Sequence, residues 1–204
     1  VALSTTTFYV IAAIVGYLAG SVPFGLILTK IAGAGDIRAI GSGNIGATNV
    51  LRTGRKGLAA ATLLLDGLKG VGVVLLGATQ TVDIAAIAGL AAVIGHNFPV
   101  WLKFQGGKGV ATTTGVLIAI SWPVGLAFCT TWLVVFAATR YSSLAALVAL
   151  AAAPLYSYLL SNISVVVLAG ILATLGIARH HGNIRRLLRG EESRFVRKPA
   201  ADDR

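Results

Sequence analysis

The sequence predicts an all-α integral membrane protein, a single membrane-embedded domain over residues 1–204 with seven transmembrane helices, and three observations carry that prediction. The first is composition. Hydrophobic residues make up 56% of the chain and charged residues 12%, against roughly 25% charged in soluble domains. Mean hydropathy is +0.83. A water-soluble fold of this length could not hide so much apolar surface while coating its exterior with 24 charges, which argues against a soluble enzyme. The second is placement: six charges lie in residues 1–56, six in 57–178 and twelve in 179–204. The third is the length of the uncharged runs, 29 residues at 1–29, 29 at 111–139 and 38 at 141–178.

A net charge of +10 does not point to nucleic acid here. Basic residues gathered between long apolar stretches are what an anionic membrane surface selects, and the aromatic residues do not alternate with arginines as a stacking platform requires. Cys129 is the single cysteine, so no intramolecular disulfide can form, and its apolar surroundings mark it as packing.

Taken in order, residues 4–28 form the first span, with Pro23 as a kink. The segment has neither a basic start nor a short apolar core, so it reads as a retained helix rather than a cleaved signal peptide. Residues 30–57, net charge +4 and rich in glycine, are a polar loop. A second span over 58–79 carries Asp66 and Lys69; three apart on a helix they can pair, the least costly way to hold charge near a membrane. A third span covers 84–102, followed by the short basic connection KFQGGKGVA. The run 111–139 is one span, or two if broken at Ser121-Trp122-Pro123, and 141–178 divides at Ser161-Asn162.

Charge chooses between six and seven spans. The 30–57 loop, the 101–110 connection and the 179–204 tail, with eight basic and four acidic residues, all favour the cytoplasm. An even number of crossings must then separate the connection from the tail, so 111–121, 123–139, 142–160 and 163–178 each cross. The N-terminus is expected outside and the C-terminus in the cytoplasm. Segment 111–121 is short for a span of about 20 residues. Trp101, Trp122 and Tyr141 fall at interfaces, where they anchor.

Three clusters carry polar chemistry. GSGNIGATNVLRTGRK, residues 41–56, supplies Ser42, Asn44, Thr48 and Asn49 as hydrogen-bonding groups, Arg52, Arg55 and Lys56 as cations, and glycines that expose backbone N–H groups, a composition suited to phosphate. It is neither a Walker A loop nor a dinucleotide fingerprint. QGGKGVATTTG, residues 105–115, sets Gly106, Gly107 and Gly109 around Lys108 at the start of a helix, whose free N–H groups and dipole favour an anion. RHHGNIRRLLRGEE, residues 179–192, places His180, His181 and Asn183 at the end of the last span, before an interfacial helix with Arg185, Arg186 and Arg189; His96 and Asn97 end the third span. No histidine is followed five residues later by aspartate, and HExxH, GxSxG and clustered carboxylates are missing. Chemistry then rests on holding anionic substrates and stabilising developing charge. An anion transporter would use the same loops but open to both faces; a non-catalytic lipid-binding protein would have less use for Asn44, Thr48, Lys108 and Asn183.

The chain resembles the PlsY family, the bacterial glycerol-3-phosphate acyltransferases that use acyl phosphate as donor, in SVPFG at 21–25, GSGNIGATNVLRTGRKG at 41–57, LDGLKG at 65–70, IGHNFPVWLKFQGGKGVAT at 94–112 and HHGNIRRLLRGEE at 180–192. The resemblance covers nearly the whole chain. It implies seven helices, a site facing the cytoplasm of the bacterial inner membrane, and transfer of a fatty acyl group from acyl phosphate to the sn-1 hydroxyl of sn-glycerol 3-phosphate. The products are lysophosphatidic acid and inorganic phosphate, in the first acylation of phospholipid synthesis. The family's first motif falls on Ser42, Gly43, Asn44, Gly46, Ala47, Thr48 and Asn49, with Arg52 downstream; its phosphate loop on Gly106, Gly107, Lys108 and Gly109, preceded by His96 and Asn97; its C-terminal pattern on His180 and Asn183, followed by Arg186, Gly190 and Glu192. Lys108 is expected to hold one phosphate, with Ser42, Asn44, Arg52 and Lys56 supplying further charge and hydrogen bonds, and His180 and Asn183 orienting glycerol 3-phosphate or closing the cleft. His181 ranks below His180. Either a substrate phosphate takes the hydroxyl proton or His96 acts as base. No cofactor, metal or nucleic acid is implied, bilayer lipid surrounds the chain, and a monomer is expected.

Overall fold

The computed structural model describes residues 4–195 and is helical throughout: α1 (Thr5–Gly20), α2 (Phe24–Ile31), α3 (Ala47–Leu51), α4 (Lys56–Ala78), α5 (Val82–Asn97), α6 (Val110–Ile120), α7 (Trp122–Thr139), α8 (Ser142–Leu160), α9 (Ile163–Arg179) and α10 (His181–Leu188). The tail charges from Arg197 onward lie outside the described residues. Helix starts follow local chemistry. Ser4, Thr81 and Asn162 accept bonds from the N–H groups of Thr7, Ile84 and Val165, each at 3.2 Å, and so cap α1, α5 and α9. Pro23 has no N–H to continue α1, and the chain breaks over Ser21–Pro23 before α2 begins.

The expectation of seven spans is corrected here. Among the described residues five segments are long and apolar enough to cross a bilayer, Thr5–Ile31, Lys56–Ala78, Val82–Leu102, Trp122–Thr139 and Ser142–Leu160, or six if α9 and α10, bent by 60°, count as one. The shortfall centres on α6. Its 11 residues rise about 16 Å, roughly half the 30 Å of hydrocarbon. With the crossing count changed, charge parity no longer assigns the N-terminus to the outside or the C-terminus to the cytoplasm.

Helices pack through small residues, as association within lipid favours. α1 lies on α5, and α4 on both α5 and α6. A methyl group built on Gly115 of α6 would run into the backbone of Gly67 on α4, so that crossing needs glycine. Leu117, Val124, Phe128, Leu150 and Ala169 form the largest core cluster, between α6, α7, α8 and α9. Leucines 63, 64, 68, 75 and 76 of α4 and Leu133 and Val134 of α7 instead point outward, each more than half exposed, as a lipid-facing surface requires.

Candidate active site

The polar loops between helices converge on one cavity of about 320 Å³. Ser42, Asn44, Thr48, Asn49 and Arg52 of the first loop and α3 line it with Lys108 and Gly109, and His180 and Asn183 close the C-terminal side. His96 also borders it. Its apolar wall is mostly α7, with Phe128, Cys129, Trp132 and Leu133, facing Leu63 of α4. Leu63 and Leu133 are 54% and 60% exposed, which puts that rim on the outer surface of the bundle.

Lys108 is fixed by a chain of charge-assisted bonds. Its Nζ donates to Asn183 Oδ1 at 2.6 Å, Asn183 Nδ2 donates to Glu192 Oε1 at 2.7 Å, Arg186 Nε to Glu192 Oε2 at 2.7 Å, and Ser143 Oγ to Glu192 Oε1 at 2.9 Å. Because Glu192 can only accept, it turns the Asn183 amide so that its oxygen faces the ammonium. Burial favours the protonated form of Glu192, but the bonds from Asn183, Arg186 and Ser143 outweigh it and hold the carboxyl below its ordinary range. Arg52 reaches Ser193 Oγ at 2.6 Å, and its Nη1 lies 3.4 Å from Asn49 Oδ1.

The loop that carries Lys108 is held by its backbone. Arg179 donates to the carbonyls of Gly106 and Gly107 at 3.1 and 3.2 Å, while the N–H groups of those glycines reach the carbonyls of Asn97 and His96 at 3.2 and 3.0 Å. A side chain on Gly107 would collide with the His96 imidazole, coming within 2.8 Å of Cδ2.

Not every sequence-predicted residue belongs to the lining. Asn49 is 1% exposed, and its Nδ2 donates to the carbonyls of Ile37 and Ile40 at 2.7 and 3.0 Å while Oδ1 accepts from Ser42 N at 3.2 Å, so this side chain shapes the loop. Gly43 and Lys56 are exposed outside the lining, Lys56 as the first residue of α4. Asn97 is fully buried against Gly109, its amide without a hydrogen-bond partner. Gly106 and Gly107 lie behind Lys108, and Arg186 holds Glu192. His180 is buried and His181 exposed. Ser142, Ser143 and Ser193 line the cavity without having been singled out by sequence; serines at a helix start or in a tail carry no pattern that separates them from ordinary caps. The anchoring role of Arg179 was equally hidden, because its partners are backbone carbonyls.

Among the described residues this arrangement offers two lining cations, several hydroxyls and no free carboxylate. Asp66 is paired with Lys69 at 2.8 Å, as their spacing predicted, and Glu192 is saturated. Burial is the main cause that lowers the Lys108 ammonium to about 8, with the positive fields of Arg186, Arg52 and Arg179 adding to it against the pull of Glu192. Lys108 is therefore charged below pH 8 and neutral above. A phosphomonoester is already dianionic by pH 8, its second ionisation lying near about 6. Its affinity should be greatest between these values and fall about tenfold or more as pH rises to 9.5, by loss of a charge-assisted bond. Lys108→Arg, which keeps its charge, should flatten that alkaline limb in a binding titration; a limb unchanged in Lys108→Arg would assign it to another group.

Residues 10–190 match the family described as glycerol-3-phosphate acyltransferase. Among similar proteins, a glycerol-3-phosphate acyltransferase of Rhodospirillum rubrum is 57% identical over 200 residues, covering 94% of this chain and 93% of that one. One from Paramagnetospirillum magneticum is 61% identical over 181 residues, covering 88% and 90%. The crystal structure of PlsY, an integral membrane glycerol 3-phosphate acyltransferase, in its glycerol 3-phosphate form superposes with a TM-score of 0.87 at 40% identity, over 92% of this chain and 96% of that one. Its lysophosphatidic acid form gives 0.84 at 38%, over 92% and 95%.

Proposed function

The chain belongs to the PlsY family of acyl-phosphate-dependent glycerol-3-phosphate acyltransferases, and from that premise we propose how its cavity serves the reaction. It is a multi-pass membrane enzyme of bacterial phospholipid biosynthesis that transfers an acyl group from acyl phosphate to glycerol 3-phosphate, giving lysophosphatidic acid. One observation carries the assignment of roles: a single cavity joins an apolar α7 wall to two cations, Arg52 and Lys108, which arrive from different loops. That pairing suits substrates that bring an acyl chain and two phosphates together.

In this reading Lys108, Asn183 and His180 hold glycerol 3-phosphate. Arg52, Ser42, Asn44 and Thr48 hold the phosphate of the donor, and its chain lies along Phe128, Cys129 and Trp132 after entering from the bilayer past Leu63 and Leu133. The glycerol hydroxyl oxygen attacks the acyl carbon, and a new C–O bond forms. The carbonyl electron pair moves onto oxygen and returns as the bond to the phosphate oxygen breaks. The hydroxyl proton passes to a phosphate oxygen, and inorganic phosphate leaves. Phosphate is already a good leaving group, so positioning and charge stabilisation suffice without a protein base. The convergence of Arg52, Lys108, Arg179 and Arg186 around the cavity supports a cytoplasm-facing site in the inner membrane. One chain supplies all of these side chains, which supports a functional monomer.

The test uses inside-out membrane vesicles with acyl phosphate in the bilayer and glycerol 3-phosphate added outside. Equimolar lysophosphatidic acid and phosphate are expected, with little or no product from acyl-CoA. Turnover only in right-side-out vesicles would overturn the sidedness, and loss of apolar-wall or Arg52 variants without effect on turnover would overturn the residue roles.

A further inference from the structure

Asp66, Lys69 and His96 lie together inside the helix bundle, their side chains 2%, 4% and 4% exposed. Burying a charged pair at membrane depth is costly, and such pairs are retained where they have work to do. Lys69 Nζ lies 2.8 Å from Asp66 Oδ1, donates to the carbonyl of Val22 at 2.9 Å and meets His96 Nδ1 at 2.9 Å. The break at Pro23 is what leaves the Val22 carbonyl outside the α1 ladder and open to Lys69. An ammonium has three N–H groups and no lone pair, so toward His96 it can only donate. The imidazole must then accept at Nδ1 and carry its proton at Nε2. Asp66 Oδ1, at 3.6 Å, is too far from Nδ1 to reverse that assignment.

His96 Nε2 faces the glycine loop, close enough to Gly107 that only glycine fits there, and the ring borders the cavity. The other two histidines are held differently: the Nδ1 atoms of His180 and His181 lie 2.7 and 3.1 Å from the carbonyls of Gly176 and Ala178, which can only accept, so both protonate at Nδ1.

We infer that Asp66 and Lys69 are positioning residues that lock His96 in its Nε2–H tautomer, making it a hydrogen-bond donor to a substrate phosphate beside Lys108 and excluding it as general base. The donor role rests on the phosphate subsite proposed above; the tautomer does not. A base would need a bare Nε2 toward the cavity. The lock removes that lone pair and replaces it with an N–H.

Nitrogen NMR of the full chain with labelled histidine tests this directly, with His96 assigned through His96→Gln. The expected spectrum shows one histidine with protonated Nε2 and bare Nδ1, His96, and two of the opposite tautomer. Lys69→Met should convert His96 to a mixture, weaken phosphate inhibition and lower kcat/KM for glycerol 3-phosphate about 10- to 100-fold. His96→Gln, which keeps an N–H near the Nε2 position, should retain at least tenfold more activity than His96→Ala. A wild-type His96 protonated at Nδ1, or a His96→Gln variant as inactive as His96→Ala while equally stable, would overturn the lock. If Lys69→Met does not fold, the wild-type spectrum still decides. Phosphate inhibition that is unchanged in Lys108→Ala, with the Nε2–H tautomer present, would instead overturn the subsite.

Discussion

Lys108→Ala is expected to lower kcat/KM for glycerol 3-phosphate by about 10- to 150-fold, the equivalent of a charge-assisted bond worth roughly 1.5–3 kcal/mol. The variant should still insert and fold. The bonds that shape its loop run from Arg179 to the Gly106 and Gly107 carbonyls and from Gly107 N–H to His96, none of which uses the lysine side chain. Removing Nζ leaves Asn183 Oδ1 facing the cavity, where water can reach it. Steady-state kinetics in detergent or vesicles, with the unfolding temperature measured on the same preparation, checks both halves. Wild-type kcat/KM in the folded variant would remove Lys108 from the substrate subsite.

Glu192→Ala should act in the opposite way, through stability first. The carboxylate is 6% exposed and accepts from three side chains, so its loss strands Asn183 Nδ2 and Ser143 Oγ and unpairs Arg186, which is 40% exposed and partly rescued by water. A cost of about 3 kcal/mol follows. It should appear as a lower unfolding temperature together with lost activity, since Asn183 no longer keeps its oxygen toward Lys108. Glu192→Gln should lose less, because its amide oxygen still accepts. The carboxyl ionises below its ordinary range, so this stabilisation is complete above about pH 4.3 and is lost as pH falls through the folded-state value. Equal stability of Glu192→Ala and the parent would show that the hub is not structural.

Much of the helical layout was legible because lipid imposes a simple grammar: long uncharged runs become helices, and glycine and charge mark the turns. Pro23 broke its segment where expected, and Asp66 found Lys69. The span count was not legible. Charge parity treats any apolar run between basic loops as a crossing, whereas α6 has 11 residues and packs against α4. For the candidate site, motif spacing named the loops that meet, but not which side chains face inward. Asn49 resembles a ligand in sequence and spends its amide on Ile37 and Ile40, because a glycine-rich loop needs internal acceptors and donors to hold its shape. The Ser143–Glu192 contact spans 49 residues, and no local pattern encodes it.

The bonds from Arg52 to Ser193 and from Lys108 to Asn183 join residues 141 and 75 positions apart. At a synthesis rate of roughly 5–20 residues per second, the interval between making Arg52 and making its partner is about 7–28 s. Throughout that interval Arg52 has no Ser193 to bond. The candidate site is thus joined only after residues 183–193 have been made, and a chain that stops before Asn183 should lack both bonds and the activity with them.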